Sequence, residues 1–426
     1  MGPITLFDKS FLQSLSMDES VWFDHYFYSN ICPLFYVETL ADLSKTSLPT
    51  GRTPEREVSI IAGKTPETSG GPCRHHHDLC VAELKGHRVP MRGQIPVAGA
   101  RPVRSSSGQN GVVYDATPEA QAFTRWQRGE FKEVERLFAH GWRKMLTNLD
   151  LPATATRMRL LGIDPKSCKS LDQAHEVATS LVRSKTGPFE QMALLFAFVG
   201  IPPELQRPIL QRWGIEQNRP LAEYAPYTAH VLAVELFFQI ALGANLISAD
   251  RASNRVDIGY LFYLPFCMIF TSSDKLHQKC APFFLRPDQD FVWGLDLKTE
   301  LSRLNTHFLL QPESEKELGV MHLGREPVGD DESLMIRLWD RHAPGWRRKK
   351  ERTEPIDPQA QKELVASLRE LTDSPTVHPS QVDFNLADPD RLAIQRFVRK
   401  RKGSWWQLPK DLKVDENDDR SPSRGP

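Results

Sequence analysis

Four carboxylates stand where short apolar segments end or short helices begin. Ile4-Thr5-Leu6-Phe7 reads as a strand that delivers Asp8, with Ser10 two residues on. Cys32 to Val37 reads as a second strand running into a helix at 38–43, which puts Glu38 in a first helical turn. Much later, Asp257 opens a short helix, Phe266 to Thr271 reads as a buried strand, and Thr271-Ser272-Ser273-Asp274 carries a fourth acid just past its end. Open parallel sheets bind ligands outside the carboxyl ends of their strands, which is where these acids would meet. Packed carboxylates repel and raise one another's pKa, so the cluster argues for a cation. Mg2+ and Mn2+ prefer oxygen ligands, and such ions neutralise a phosphodiester and activate water for its hydrolysis. Asp8, Glu38, Asp257 and Asp274 are therefore the candidate catalytic metal ligands. Ser10 and Thr271 would orient a ligand or a water beside them. Taken singly, each acid also fits a helix cap or a favourable first-turn charge.

Taken as an ordered set, the four resemble the PIN-domain nucleases. Asp8-Lys9-Ser10 matches that family's strand-ending Asp followed by a hydroxyl residue. Glu38 in Tyr36-Val37-Glu38-Thr39-Leu40-Ala41-Asp42-Leu43 matches its acid opening a helix, and Asp257 with Thr271-Ser272-Ser273-Asp274 matches its close. The resemblance covers roughly residues 1–45 and 245–285. It implies a PIN-like three-layer α/β core around a central parallel sheet, discontinuous over 1–45 and 245–290. It also implies hydrolysis of RNA by carboxylate-bound Mg2+ or Mn2+ in a toxin, RNA-processing or defence role. The alternative is a non-catalytic PIN-like scaffold that binds nucleic acid or a protein partner. A protein inhibitor or a second copy of the chain stays open as a partner.

Positioning these acids requires two distant segments to close on one sheet. Residues 46–244 read as a mainly helical insertion, which is tolerable because loop-closure entropy rises slowly with length. Its expected parts are a helix at 54–62, a mobile Gly/Pro/Ser/Arg-rich loop at 86–113, one long helix at 118–146, and helices near 169–183, 187–199, 203–213 and 220–242. Cys73, His75, His76, His77 and Cys80 are zinc-type ligands, but their spacing is not a zinc-finger spacing, and a polar helix start with surface histidines fits better. Asp288 and Asp290 read as solvated loop acids.

Residues 291–410 read as a C-terminal extension with two basic runs and 411–426 as a disordered tail. Arg347, Arg348, Lys349 and Lys350, then Arg399, Lys400 and Arg401 with Trp405 and Trp406, could hold phosphates and stack on unpaired bases. The same runs fit a solvated tail equally well.

Lys+Arg and Asp+Glu balance at 54 each among 426 residues, so the overall field points to no particular partner. Six scattered cysteines suit a reducing compartment. The N-terminus lacks a basic region followed by an apolar one, and no apolar run reaches the ~20 residues of a membrane span. A cytoplasmic protein is expected.

Overall fold

The computed structural model describes residues 2–45, 51–147, 164, 167–184, 187–248, 251, 253–348, 358–378, 392–394 and 396–412. At its centre is a five-stranded sheet, parallel throughout, in the order β3-β2-β1-β6-β7. The strands are β1 (Ile4–Phe7), β2 (Tyr28–Ile31), β3 (Gly70–Pro72), β6 (Ile269–Ser272) and β7 (Asp290–Trp293). Both neighbours of β1 are fixed by register: Leu6 faces Asn30 on one side and Phe270 on the other. β1 and β6 are almost wholly buried, as strands of a parallel sheet covered on both faces must be. The strand order turns back between β1 and β6, so their carboxyl ends flank a topological switch point.

Asp8 ends β1 and caps helix α1 (Lys9–Ser14); α2 (Met17–Tyr26) follows behind a capping box of Ser16 and Glu19. The expected second strand at 32–37 is instead the start of helix α3 (Pro33–Ala41). Pro33 cannot donate to a ladder and its fixed φ suits a first helical turn, while Leu34, Phe35, Leu40 and Ala41 bury one helical face. Tyr28–Ile31 takes the strand role, and Glu38 moves from the first turn of a helix to the second.

The central sheet reaches outside 1–45 and 245–290. β3 comes from residues 70–72, and β7 is followed by helix Gly294–Leu309, which packs on α2. Asp290 opens β7 and binds Arg341 and His342, so it is not a solvated loop acid. The stretch 86–113 is not one loop. It contains β4 (Ala100–Arg104) and β5 (Asn110–Tyr114), an antiparallel hairpin turned at Gly108, where φ is +85°. β8 (Leu392–Ile394) joins β5 from far along the chain, a pairing that local composition cannot signal. The expected long helix at 118–146 is two, α6 (Pro118–Gln127) and α7 (Glu133–Thr147), separated at Gly129, whose φ of +76° favours glycine. The helices expected at 54–62, 169–183, 187–199 and 203–213 are present, and the one expected at 220–242 is broken at Ala225 into Leu221–Tyr224 and Pro226–Gly243.

Among the described residues no helix is long and apolar enough to cross a membrane. The tail beyond residue 412 lies outside them.

Candidate functional site

Parallel pairing brings Phe7 level with Thr271, and the Asp8 amide bonds the Thr271 carbonyl at 3.4 Å. The residues that follow β1 and β6 therefore emerge side by side. Asp8 is buried: Oδ1 accepts from the Phe11 amide at 2.9 Å, and Oδ2 accepts from Ser10 Oγ at 2.6 Å and Ser272 Oγ at 2.8 Å. Asp274 caps helix Lys275–Cys280 through the Leu276 amide at 2.6 Å and lies 3.5 Å from the Arg251 guanidinium. Asp257 lies in the first turn of helix Asn254–Tyr260. Glu38 accepts a hydrogen bond from Tyr260 Oη at 2.8 Å and lies 3.4 Å from Lys9 Nζ.

Between these acids lies His277, which has no exposed surface. Its Nε2 is 2.6 Å from the Asp257 backbone carbonyl and its Nδ1 is 2.7 Å from Ser272 Oγ. A carbonyl only accepts, so Nε2 carries a proton. Ser272 Oγ has one proton for two neighbours; with it on the Asp8 carboxylate, Nδ1 donates to Ser272 as well and the ring is an imidazolium. Burial opposes that charge, but the hydrogen bond and charge of Asp8, with Asp257, lift the pKa to about 9. Reciprocally, burial pushes Asp8 up, yet His277, the Ser10 hydroxyl and the Phe11 amide hold it below the usual carboxylate range.

Asp257 has the opposite balance. Burial raises it, His277 lowers it, and the charges of Glu38, Asp274 and Asp8 raise it further, to about 7. Glu38, Asp274 and Asp8 are therefore each within electrostatic reach of Asp257. Asp257 Oδ2 is buried without a hydrogen-bond partner, as is Thr271 Oγ1. The Thr271 hydroxyl makes no bond to the acids, whereas Ser10 does bind Asp8 and also accepts from the Ser273 amide at 3.2 Å.

An orphaned carboxylate oxygen among other acids suits a hard cation, and the oxygen donor set is the right one for Mg2+ or Mn2+. The other three acids already face protein cations: His277 with Asp8, Lys9 with Glu38, Arg251 with Asp274. Lys9 also binds Asp42 at 3.0 Å, and although burial opposes its charge, Glu38 and Asp42 hold its pKa above the usual value. Among the described residues no group of three or more His, Cys, Asp or Glu stands in metal-holding geometry. The donors thus fit a cation in chemistry, and gathering three of them requires side-chain movement.

Sequence reasoning missed His277, Ser272, Lys9, Tyr260 and Arg251. His277 had a signal: it lies three residues after the capping Asp274, on the face of the short helix that returns toward the strand end. Lys9 and Tyr260 had none, because their partner Glu38 is distant in sequence.

The basic runs stand apart from this cluster. Arg347 is held by Asp340 at 2.7 Å and Asp331 at 2.9 Å; Arg348 is exposed; Lys349 and Lys350 lie outside the described residues. Arg399 binds Glu67, and Lys400 binds the Leu412 carbonyl. Lys400 and Arg401 cover the half-buried Trp406 ring. Trp405 is not an exposed stacking platform. It is 1% exposed, packs against Trp22 and donates to Asn305 Oδ1 at 2.8 Å.

Cys73 and Cys80 are buried thiols whose pKa is pushed up by burial, which disfavours the thiolate that zinc needs. Of the three histidines between them, His76 contacts Tyr263 Oη and His77 the Gly200 carbonyl.

Comparison with protein-family models, with curated proteins and with solved structures gives no match.

Proposed function

We propose that the protein is a metal-dependent phosphodiesterase of PIN-like type acting on RNA. The reading rests on one observation: beside the switch point between β1 and β6, Asp257 keeps a buried carboxylate oxygen without a partner while the charges of Glu38, Asp274 and Asp8 act on it. Asp257, Asp274, Glu38 and Asp8 would hold Mg2+ or Mn2+ directly or through water, and the bound ion would supply charge neutralisation and an activated water. The chain's own residues do the positioning. Ser10, Ser272 and the Phe11 amide fix the Asp8 carboxylate. His277 ties the end of β6 to the helix that carries Asp257, and Tyr260 orients Glu38. The test is cleavage of end-labelled RNA with Mn2+ or Mg2+ by wild type, Asp257→Asn and Asp274→Asn. Loss of cleavage in both variants, with unchanged circular dichroism, supports the reading; equal cleavage by all three overturns it.

A second reading, a non-catalytic scaffold, is favoured by the pairing of three acids with His277, Lys9 and Arg251. It separates from the first by thermal stability. A cation site raises the melting temperature with Mn2+ by mass action, and a scaffold does not respond.

A further inference from the structure

A cavity of about 590 Å³ lies at the β3 edge of the sheet, walled by β2, β3, α6 and Ile394, Arg396 and Phe397 of the C-terminal segment. None of the four acids lines it. Its volume falls in the range of small-ligand sites, roughly 300–1,000 Å³. β3 opens the space because it contributes glycine: a Cβ on Gly71 would come within 3.3 Å of Val97 and 4.0 Å of Tyr28 Oη, two of the walls.

The walls combine aromatic rings with cations. Tyr28, Tyr114, Phe123 and Phe397 supply the rings. The Arg396 guanidinium lies 5.9 Å from the Tyr28 ring centroid, and that of Arg128 lies 5.6 Å from the Phe397 centroid. The two lining acids are already neutralised from outside the cavity, Glu67 by Arg399 and Asp115 by Arg101. Of the lining cations, Arg125 is paired with Glu135. Arg396, by contrast, donates only to neutral oxygens, the Thr68 carbonyl and Tyr28 Oη, and the exposed Lys132 ammonium, as distinct from its backbone amide, has no carboxylate partner among the described residues. Tyr28 Oη accepts from Arg396 and keeps its own proton to give. The cavity thus offers flat apolar faces and a positive rim.

We propose that this cavity binds a planar aromatic anion of nucleotide size, with the ring between the aromatic walls and the phosphate at Lys132, Arg396 and Tyr28. Aromatic faces and cation–π geometry favour a flat ring over an aliphatic chain. Guanidinium and ammonium donors with a phenol proton favour a phosphate over a neutral group. The site is independent of the acid cluster.

Isothermal titration of the full chain in metal-free buffer tests it, using AMP and UMP, the matching nucleosides, and inorganic phosphate. The expected result is saturable binding of a monophosphate, with the nucleoside and free phosphate each about tenfold weaker or more, the loss that removing one cation or one stacked ring produces. Lys132→Gln and Phe397→Ala, both on exposed side chains, should each weaken binding several-fold, roughly the worth of one exposed cation–π or stacking contact, with unchanged melting. Asp257→Asn should bind as wild type. Absence of saturable monophosphate binding, a nucleoside that binds as tightly as its phosphate, or unchanged binding in both cavity variants overturns the proposal. So does loss of binding in Asp257→Asn, which would place the nucleotide at the acid cluster.

Discussion

The Asp8 carboxylate and the His277 imidazole, from opposite halves of the chain, lie 3.4 Å apart and share Ser272 as a bridge. The contact makes one strand end, one helix start and one buried charge depend on each other. Removing the ring leaves Asp8 buried without its counter-charge, and breaking a buried pair in this way costs on the order of 3–5 kcal/mol. His277→Gln keeps hydrogen bonding but not charge, so it should lose less than His277→Ala. Urea denaturation of the two variants at pH 7 checks the order.

The same group sets a pH dependence. Its folded pKa of about 9 lies above the ordinary histidine value of 6.5, so its contribution is full below about pH 6.5 and is lost as pH rises through about 9. Unfolding free energy of the wild type should fall across that interval. In His277→Gln the fall should be absent from that window, which parallel urea titrations at pH 6, 8 and 10 would show.

Asp257 adds a fall of its own at lower pH, because its charged form is the one the fold disfavours. Its folded pKa of about 7 lies above the ordinary aspartate value of 3.8, so the folded state is penalised as pH rises from about 4 to 7, with the full penalty above 7. A shift of this size corresponds to an upper bound of about 4 kcal/mol. In chelator-treated protein at pH 8, Asp257→Asn should melt higher than wild type, and scanning calorimetry measures it. Added Mn2+ should narrow or reverse that gap if the proposed cation binds.

Lys9 links α1 to Glu38 and Asp42, and both partners lose a buried counter-charge without it. Lys9→Met should destabilise by about 3 kcal/mol or more, whereas Lys45→Met, at the partly exposed end of the same network, should cost under about 1 kcal/mol. Chemical denaturation of each variant separates them.

The adjacent tryptophans of the tail should behave differently. Trp405→Ala empties a core position against Trp22 and should cost about 3–5 kcal/mol. Trp406→Ala, half-buried under Lys400 and Arg401, should cost about 1 kcal/mol. Thermal melts of both check the contrast. A nucleic-acid role for this run would then show as weaker RNA binding in Trp406→Ala alone.

The acids were legible in the sequence because helix caps and strand ends obey local rules. Asp8 and Asp274 each precede a short helix and cap it, and Pro33 and the apolar run at 269–271 mark element starts within a few residues. What the sequence alone determined was the α/β alternation, most of the helices, and that Asp8 and Asp274 sit at element ends; Glu38 fell inside a helix instead. Strand 32–37 was misplaced because a short apolar run reads the same in a strand and in a buried helix; only the pairing of Ser29 with Thr5 and Gly70 picks out 28–31. Tertiary structure decided the rest, because the deciding partners are remote: Glu38 meets Tyr260 and Lys9, Trp405 meets Asn305, and β5 meets β8. Above all it placed a charged histidine among the acids. No spacing rule encodes that contact, because it exists only where the ends of β1 and β6 are brought level in one sheet.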